Sequence, residues 1–342
     1  MFTSPRRDSK TVSPQPPVLV AEGLQKSYGP RNALQGLTFT LGAGRIMGFL
    51  GPNGAGKTTS IRILTTMITP ESGQFTVDGI SSKYPQEIRR RIGVLPENLG
   101  FPRQMTGIEY LTFFGQLYGQ SAANARKTAQ ALLEEVGMTN RAKSLIGSYS
   151  HGMKQRIGIA RSLINDPVVV FLDEPTLGLD PRGQQELLEL IQRIASERGT
   201  GIILCSHLLT EIENVCDDVV ILNQGQIVAR GTVAEVIGRT QQNIVLKNSR
   251  RIQVLPDYYT KAKQALKTTM PNVIKVSTLG EAEGWMRVEV VDGANGNSEK
   301  THLINNIILS ALIRAKIPIL SFDVEGGKLQ DVFLHLTEET IQ

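Results

Sequence analysis

Cysteine is scarce in this chain: two residues, Cys205 and Cys216, in 342. They do not form a C-x-x-C pair and lie in or beside apolar stretches. The sequence therefore predicts buried thiols in a reducing compartment, not a disulfide framework or a metal site. Long hydrophobic runs are also missing. Apolar stretches such as 168–172 and 307–313 are far too short to cross a bilayer, so the chain is not expected to span a membrane by itself. Residues 1–17 (MFTSPRRDSKTVSPQPP) lack the apolar core of a secretory signal and read as a flexible cytoplasmic tail, with no covalent membrane anchor in view. There is no long Lys/Arg block with interleaved aromatics, and the net charge is only +5. That argues against a nucleic-acid partner and for a mildly basic surface facing phosphates or lipid headgroups. No internal repeat is visible.

What is present is a globular composition, 40% hydrophobic and 20% charged, with length for one large domain and a smaller one. The most informative run is GPNGAGKTT, residues 51–59, which satisfies the G-x-x-x-x-G-K-[ST] phosphate-loop pattern. It sits between a strand-like stretch (46–50) and an apolar-periodic, helix-like one (60–67). In that context Gly51, Gly54 and Gly56 let the backbone turn tightly and aim N–H groups at a polyphosphate, with a helix N-terminus behind them. Pro52, Asn53, Ala55 and Thr59 complete the loop. Lys57 would reach the β- and γ-phosphates, and Thr58 would offer its hydroxyl to Mg²⁺.

From residue 18 to about 231, apolar runs at 46–50, 92–95, 168–172, 202–205 and 219–222 alternate with helix-period segments. This rhythm predicts an α/β fold with a largely parallel sheet. Strand-like pieces at 18–24 and 37–41 are expected to add an antiparallel edge. Between about 101 and 163 the strand signal gives way to helices, including 107–118 and 122–136, so a helical insertion is expected there. After about 238 the order becomes strand (243–255), helix (258–269), strands (273–278 and 285–291), helix (300–316) and strand (319–324), then an amphipathic helix (328–338). That β-α-β-β-α-β order predicts a small α+β, ferredoxin-like domain over 239–342.

A phosphate loop alone leaves kinases, GTPases and ATPases open. The strand-like VVVFLDEP (168–175) presents Asp173 at its end, placed to hold Mg²⁺ through water, and Glu174 beside it, placed to polarise the water that attacks the γ-phosphate. A GTPase would need an N-K-x-D base reader, which is absent.

With these two phosphate motifs and YSHGMKQR (149–156) at the start of a helix between them, the chain resembles the ATP-binding cassette ATPases across residues 18–231. YSHGMKQR matches the cassette signature, which separates cassettes from other phosphate-loop proteins. TLGLDP (176–181) resembles the D-loop and brings Asp180 into the ATP site. SHLLTEIE (206–213) carries the switch histidine at His207. VLPEN (94–98) matches the loop joining the sheet to the helical subdomain, and SYG (27–29) matches the loop whose aromatic, Tyr28, stacks on adenine. Two positions depart from the family pattern. The first glycine of the signature pair is His151, although Ser150 and Gly152 keep the hydroxyl and the close-approach backbone for a γ-phosphate. Glu97 stands where glutamine is common, and its carboxylate can still coordinate Mg²⁺.

The resemblance implies that ATP and Mg²⁺ are the cofactors, that residues 18–238 form the cassette, and that Glu174, His207 and Lys57 serve hydrolysis. In cassettes the signature of one subunit covers ATP held by the phosphate loop of another, so a second cassette is implied, with a homodimer giving two competent sites. A chain without spanning helices resembles the ATPase subunit of a transporter whose permease is encoded separately, which places it on the cytoplasmic face of the membrane. The LPEN and YSHGMKQR variants and DVFLHLT (331–337) resemble the subgroup serving ABC-2 type exporters. The other class weighed is a soluble ATP-driven switch on ribosomes or nucleic acid, which usually has paired cassettes in one chain or an inserted coiled coil; neither is here.

Overall fold

The computed structural model describes residues 17–97, 100–206, 208–242, 249–269, 274–280, 283–290, 298–324 and 329–338. The chain divides into two compact units, Met1–Val233 and Ala234–Gln342. In the first, β1 (Pro17–Tyr28) and β2 (Arg31–Gly42) form a hairpin, and β3 (Ile46–Leu50) runs into α1 (Lys57–Leu64). Then come β4 (Ser72–Val77), β5 (Ile80–Ser81), α2 (Pro85–Arg89) and β6 (Ile92–Leu95). Helices α3 (Gly107–Leu117), α4 (Ala122–Glu135) and α5 (His151–Ser162) are inserted before β7 (Val169–Asp173). The unit finishes with α6 (Pro181–Arg198), β8 (Gly201–Cys205), α7 (Leu209–Val215), β9 (Asp218–Asn223) and β10 (Gln226–Thr232).

Two sheets result. The larger has the order β10-β9-β3-β8-β7-β6, parallel except for β10, which pairs antiparallel with β9. The smaller, β2-β1-β4-β5, is antiparallel throughout. This corrects the expectation that the first two strands edge the parallel sheet: they belong to a sheet of their own, and the antiparallel edge is β10. The physical reason is written in burial. All five residues of β3 and of β8 are buried, as a strand covered on both faces requires, whereas β1 and β2 mix buried with exposed positions and suit a sheet with one wet face. The two sheets share one core, in which Leu19, Leu37 and Phe75 meet Phe49, Phe171 and Leu222. Phe39 of β2 packs edge-on against Phe49 of β3, with centroids 5.1 Å apart.

Register decides where the chemistry lies. Phe49 of β3 and Asp173 of β7 both pair with Cys205 of β8, and Leu95 of β6 pairs with Leu172. The chain therefore leaves β3, β6, β7 and β8 along one carboxyl edge, with β3 and β7 about 10 Å apart, two strand intervals. α1 starts at Lys57, three residues earlier than its apolar period suggests, because Gly56 adopts φ +111° and caps it. It stops at Thr65, whose hydroxyl donates to the Ile61 carbonyl at 2.7 Å.

The second unit runs from α8 (Val233–Gln242), which spans the division, through β11 (Ser249–Val254), α9 (Tyr259–Thr269), β12 (Ile274–Gly280) and β13 (Trp285–Val290). It closes with α10 (Ser298–Arg314), β14 (Ile319–Val324) and α11 (Leu329–Glu338). Its sheet order is β12-β13-β11-β14, every neighbour antiparallel, which is the split βαβ arrangement. Leu266 of α9 and Ile308 and Leu312 of α10 pack with Ile252, Met286 and Val288 from the sheet. Arg250 is fully buried there, and its Nε donates to Asn305 Oδ1 at 2.7 Å. The expected strand at 243–255 is observed from Ser249; residues 243–248 lie outside the described ones, as does the tail expected at 1–17, apart from Pro17.

The helical insertion is seated on the sheet through α5. Gly93 of β6 lies so close that an added Cβ would stand 2.0 Å from the Ser162 carbonyl oxygen, a backbone atom that cannot step aside. Gly93→Ala should therefore lower folding stability by about 1–3 kcal/mol, the usual range for overpacking. Urea unfolding of the full chain measures it, and an unmoved midpoint would refute this seating.

Candidate functional site

The phosphate loop leaves β3 at Leu50 and returns into α1. Its tight path requires glycine at two places: a Cβ on Gly51 would meet the Leu222 carbonyl oxygen at 2.5 Å, and one on Gly56 the Ala33 carbonyl oxygen at 2.6 Å. Both have positive φ, 156° and 111°. Lys57 Nζ donates to the carbonyls of Gly51 (2.5 Å) and Pro52 (3.2 Å), so the ammonium is held over the concave side of the loop. Thr58 is exposed on the first turn of α1, where free N–H groups and the helix dipole favour an anion. Asn53 and Gly54 are exposed, whereas Ala55 is buried. Tyr28 ends β1 with 48% of its surface exposed, and Lys26 Nζ lies over its ring, 5.9 Å from the centroid.

Across the carboxyl edge stands Asp173, the last residue of β7. Its pKa is raised, chiefly by burial, then by the charges of Glu174 and Glu97, and only partly offset by Lys57 and Arg62. That pattern places three carboxylates and the loop lysine within electrostatic reach of one another. Glu174 has φ +50°, a left-handed conformation uncommon for a side chain of its size, and its N–H donates to the Cys205 carbonyl at 2.9 Å. Backbone strain of this kind stands where the chain leaves β7. Cys205 and Cys216 are free and buried, and burial pushes both thiols well up, in keeping with the predicted buried thiols.

The segments after β7 and β8 are joined by a carboxylate that sequence reasoning did not single out. Glu211 Oε2, buried on α7, accepts hydrogen bonds from Thr176 Oγ1 and Ser206 Oγ, each at 2.8 Å. Ser206 Oγ in turn accepts from the Leu208 N–H at 3.1 Å. These contacts fix the residues on either side of His207, which itself lies outside the described residues, as does Asn98. The only signal for Glu211 is its place between Thr210 and Ile212 on a short helix, and periodicity reads that as a solvated face. Arg31 was missed too: its Nη2 donates to the Gly54 carbonyl at 3.1 Å, a contact from a distant turn that no local pattern announces.

Ser150 and Gly152 form a second cluster. Ser150 caps α5, its hydroxyl accepting from the Met153 N–H at 3.3 Å. Beneath it, Tyr149 is buried and its phenol donates to the Arg141 carbonyl at 2.7 Å. Arg161 fastens the other end of α5, donating to Tyr110 Oη at 3.2 Å and to the Val94 carbonyl at 3.1 Å, three residues before the exposed Glu97. Asp180 is exposed at the start of α6. Among the described residues no group of three His, Cys, Asp or Glu side chains forms a metal cage by itself. The oxygen donors at the edge, Thr58, Asp173 and Glu97, suit a hard cation that shares its shell with phosphate oxygens.

Comparison with known proteins agrees with this geometry. The sequence profile described as "ABC transporter" matches residues 34–177. The linearmycin resistance ATP-binding protein LnrL of Bacillus subtilis (strain 168) is 30% identical over 326 residues, covering 95% of this chain and all of that protein. The daunorubicin/doxorubicin resistance ATP-binding protein DrrA of Streptomyces peucetius is 32% identical over 325 residues, covering 92% of this chain and 91% of its own. Among solved structures, the ATP-binding subunit of an ABC transporter superposes with a TM-score of 0.59 at 31% identity, covering 65% of this chain and 93% of that one. A phosphate loop, an acidic strand end facing it and a serine-capped signature helix on this fold make the chain an ATPase that belongs to the ABC transporter family of ATP-binding proteins.

Proposed function

We propose that the chain is the cytoplasmic motor of an ABC-2 type exporter, in which two cassettes close over ATP and separate after hydrolysis, driving a separately encoded permease. The observation that carries the reading is that Lys57, held over the phosphate loop, and the Asp173–Glu174 strand end face the same edge, in a chain that also carries the signature serine. The chain thus holds both halves of a site that two subunits share. No helix among the described residues is long and apolar enough to cross a membrane, so on this reading a permease supplies the spanning part. The full-length relatives are named for resistance to linearmycin and to daunorubicin and doxorubicin, which favours a drug-like cargo over a lipid or polysaccharide.

In this mechanism the loop N–H groups and Lys57 bind the polyphosphate, Lys57 giving up its two carbonyls for phosphate oxygens, while Tyr28 stacks on the adenine. Thr58, Asp173 and Glu97 would hold Mg²⁺, directly or through water, and when bound it would supply positive charge beside the phosphate oxygens. Glu174, just past the strand end, takes the proton of the attacking water, and His207 hydrogen-bonds that water and the γ-phosphate. Ser150, Gly152 and Asp180 of the second subunit close the site. Loss of the γ-phosphate removes the contacts that hold the pair together.

Glu174→Gln should cut turnover about 100-fold or more, the usual scale of a general base, while ATP still binds and a closed dimer accumulates. Steady-state hydrolysis and size-exclusion chromatography with ATP measure both, and wild-type turnover would remove Glu174 from the role. Mixing Ser150→Ala with Lys57→Ala subunits should restore one working site per mixed dimer; verified mixed pairs without activity would show that sites are not shared. Asp173→Asn should stop hydrolysis yet stabilise the nucleotide-free protein. The folded pKa of Asp173 lies above its unfolded value, so the ionised group costs stability, not at all below the unfolded carboxylate range and fully above the folded pKa. The variant's gain in melting temperature should therefore be absent near pH 3, grow as pH rises and persist at pH 7; a gain equal at both pH values would contradict the assignment.

A further inference from the structure

His151 occupies the position where the cassette signature has its first glycine, and although it is exposed its side chain is hydrogen-bonded. Its Nε2 donates to the Leu177 carbonyl at 2.7 Å, and its ring lies against Gly178, where an added Cβ would stand 3.5 Å from Nε2. Gly178 has φ +76°, so the chain turns back beneath the imidazole. One residue along, Gly152 faces Leu179, whose Cδ2 lies 3.5 Å from the position of an added Cβ. On the next turn of the helix the Gln155 amide nitrogen lies 3.5 Å from His151 Nε2, a contact between two donors while that N–H serves Leu177, and its buried Oε1 has no hydrogen-bond partner among the described residues. A half-turn of the Gln155 amide would set Oε1 in place of the nitrogen, as a second acceptor for the same N–H.

The segment so gripped begins at Glu174. Leu177 N–H donates to the Glu174 carbonyl at 3.3 Å, and Leu179 N–H to that of Thr176 at 3.1 Å, so residues 174–179 form a connected turn. Ser150 is the neighbour of His151 and caps the same helix. One imidazole thus joins the loop that carries the general-base candidate of a subunit's own site to the serine that covers its partner's ATP. With Nε2–H as donor to a backbone carbonyl, the bond is a mechanical tie between helix and loop.

We infer that His151 is a positioning residue that couples the two shared ATP sites, holding the Glu174 loop and the signature serine of one subunit in register. This rests on the shared-site reading above. It acts through Leu177 and touches no nucleotide itself.

The test uses full-length chain and Mg²⁺-ATP hydrolysis. His151→Ala should lower kcat about five-fold, the effect of losing one hydrogen bond, with KM for ATP little changed. His151→Gln, which keeps a donor, should recover most of the loss. Mixed dimers with one dead phosphate loop then separate the two arms. A His151→Ala subunit paired with a Lys57→Ala subunit keeps one live site whose Glu174 loop is untied. A double His151→Ala, Lys57→Ala subunit paired with wild type keeps one live site whose covering signature is untied. Coupling requires both mixed dimers to be slowed. Slowing of only one, an unaltered kcat in His151→Ala, or a Gln variant as slow as the Ala variant overturns the inference. Glu174→Gln run alongside keeps the cases apart: if it abolishes turnover while His151→Ala is silent, the function reading stands and only the coupling falls.

Discussion

Burial, Glu174 and Glu97 all disfavour the charge on Asp173, and Lys57 and Arg62 offset them only in part. A fold optimised for stability alone would not place acids so, and the arrangement holds because the strands beneath are committed elsewhere. β3, β7 and β8 are almost wholly buried, their register is set by parallel pairing, and Asp173 is the residue at which β7 emerges. The apolar sheet stabilises the unit, and the crowded acids at its edge cost part of that stability, the usual exchange between stability and activity.

The same edge gathers motifs that are far apart in sequence, and the means are backbone and buried side chains more than surface contacts. Glu174 is tied to β8 through the Cys205 carbonyl, and Glu211 ties Thr176 to Ser206 from below. A buried carboxylate is costly unless its oxygens are satisfied, and here only Oε2 is, Oε1 having no partner among the described residues; the two hydroxyls that donate to Oε2 fix the relative height of two loops. Exposed ion pairs such as Arg182 with Glu186 contribute little by comparison.

Much of this was legible in the residues. The phosphate loop, the acidic strand end and the buried parallel strands announced themselves because each needs residues that few other environments tolerate: glycine with positive φ, acids after an apolar run, and unbroken branched aliphatics. The helical insertion showed as loss of the strand signal, and α3 and α4 fall within a residue of their expected bounds. Less legible were β4, β5 and β10, whose sequences SGQFTV, IS and QIVARGT are polar and are made strands by their neighbours' edges. The assignment of β1 and β2 to the wrong sheet has a similar origin, since alternation tells that one face is wet but not which sheet pairs with the other edge. The first turn of α1 was missed because Lys57, Thr58 and Thr59 are polar, and apolar period marks only the face a helix buries. Arg31 and Glu211 act on residues 23 and 35 positions away, at Gly54 and Thr176, beyond any window of local pattern.

Arg161 has a mechanical consequence. One guanidinium clasps the β6 backbone at Val94 and the phenol of Tyr110 on α3, and its own helix begins at the signature. The outer helix α3 and the sheet strand that leads to Glu97 thus share one side-chain clasp, with no slack linker between them. The insertion is thereby keyed to the sheet at the strand that leads to Glu97.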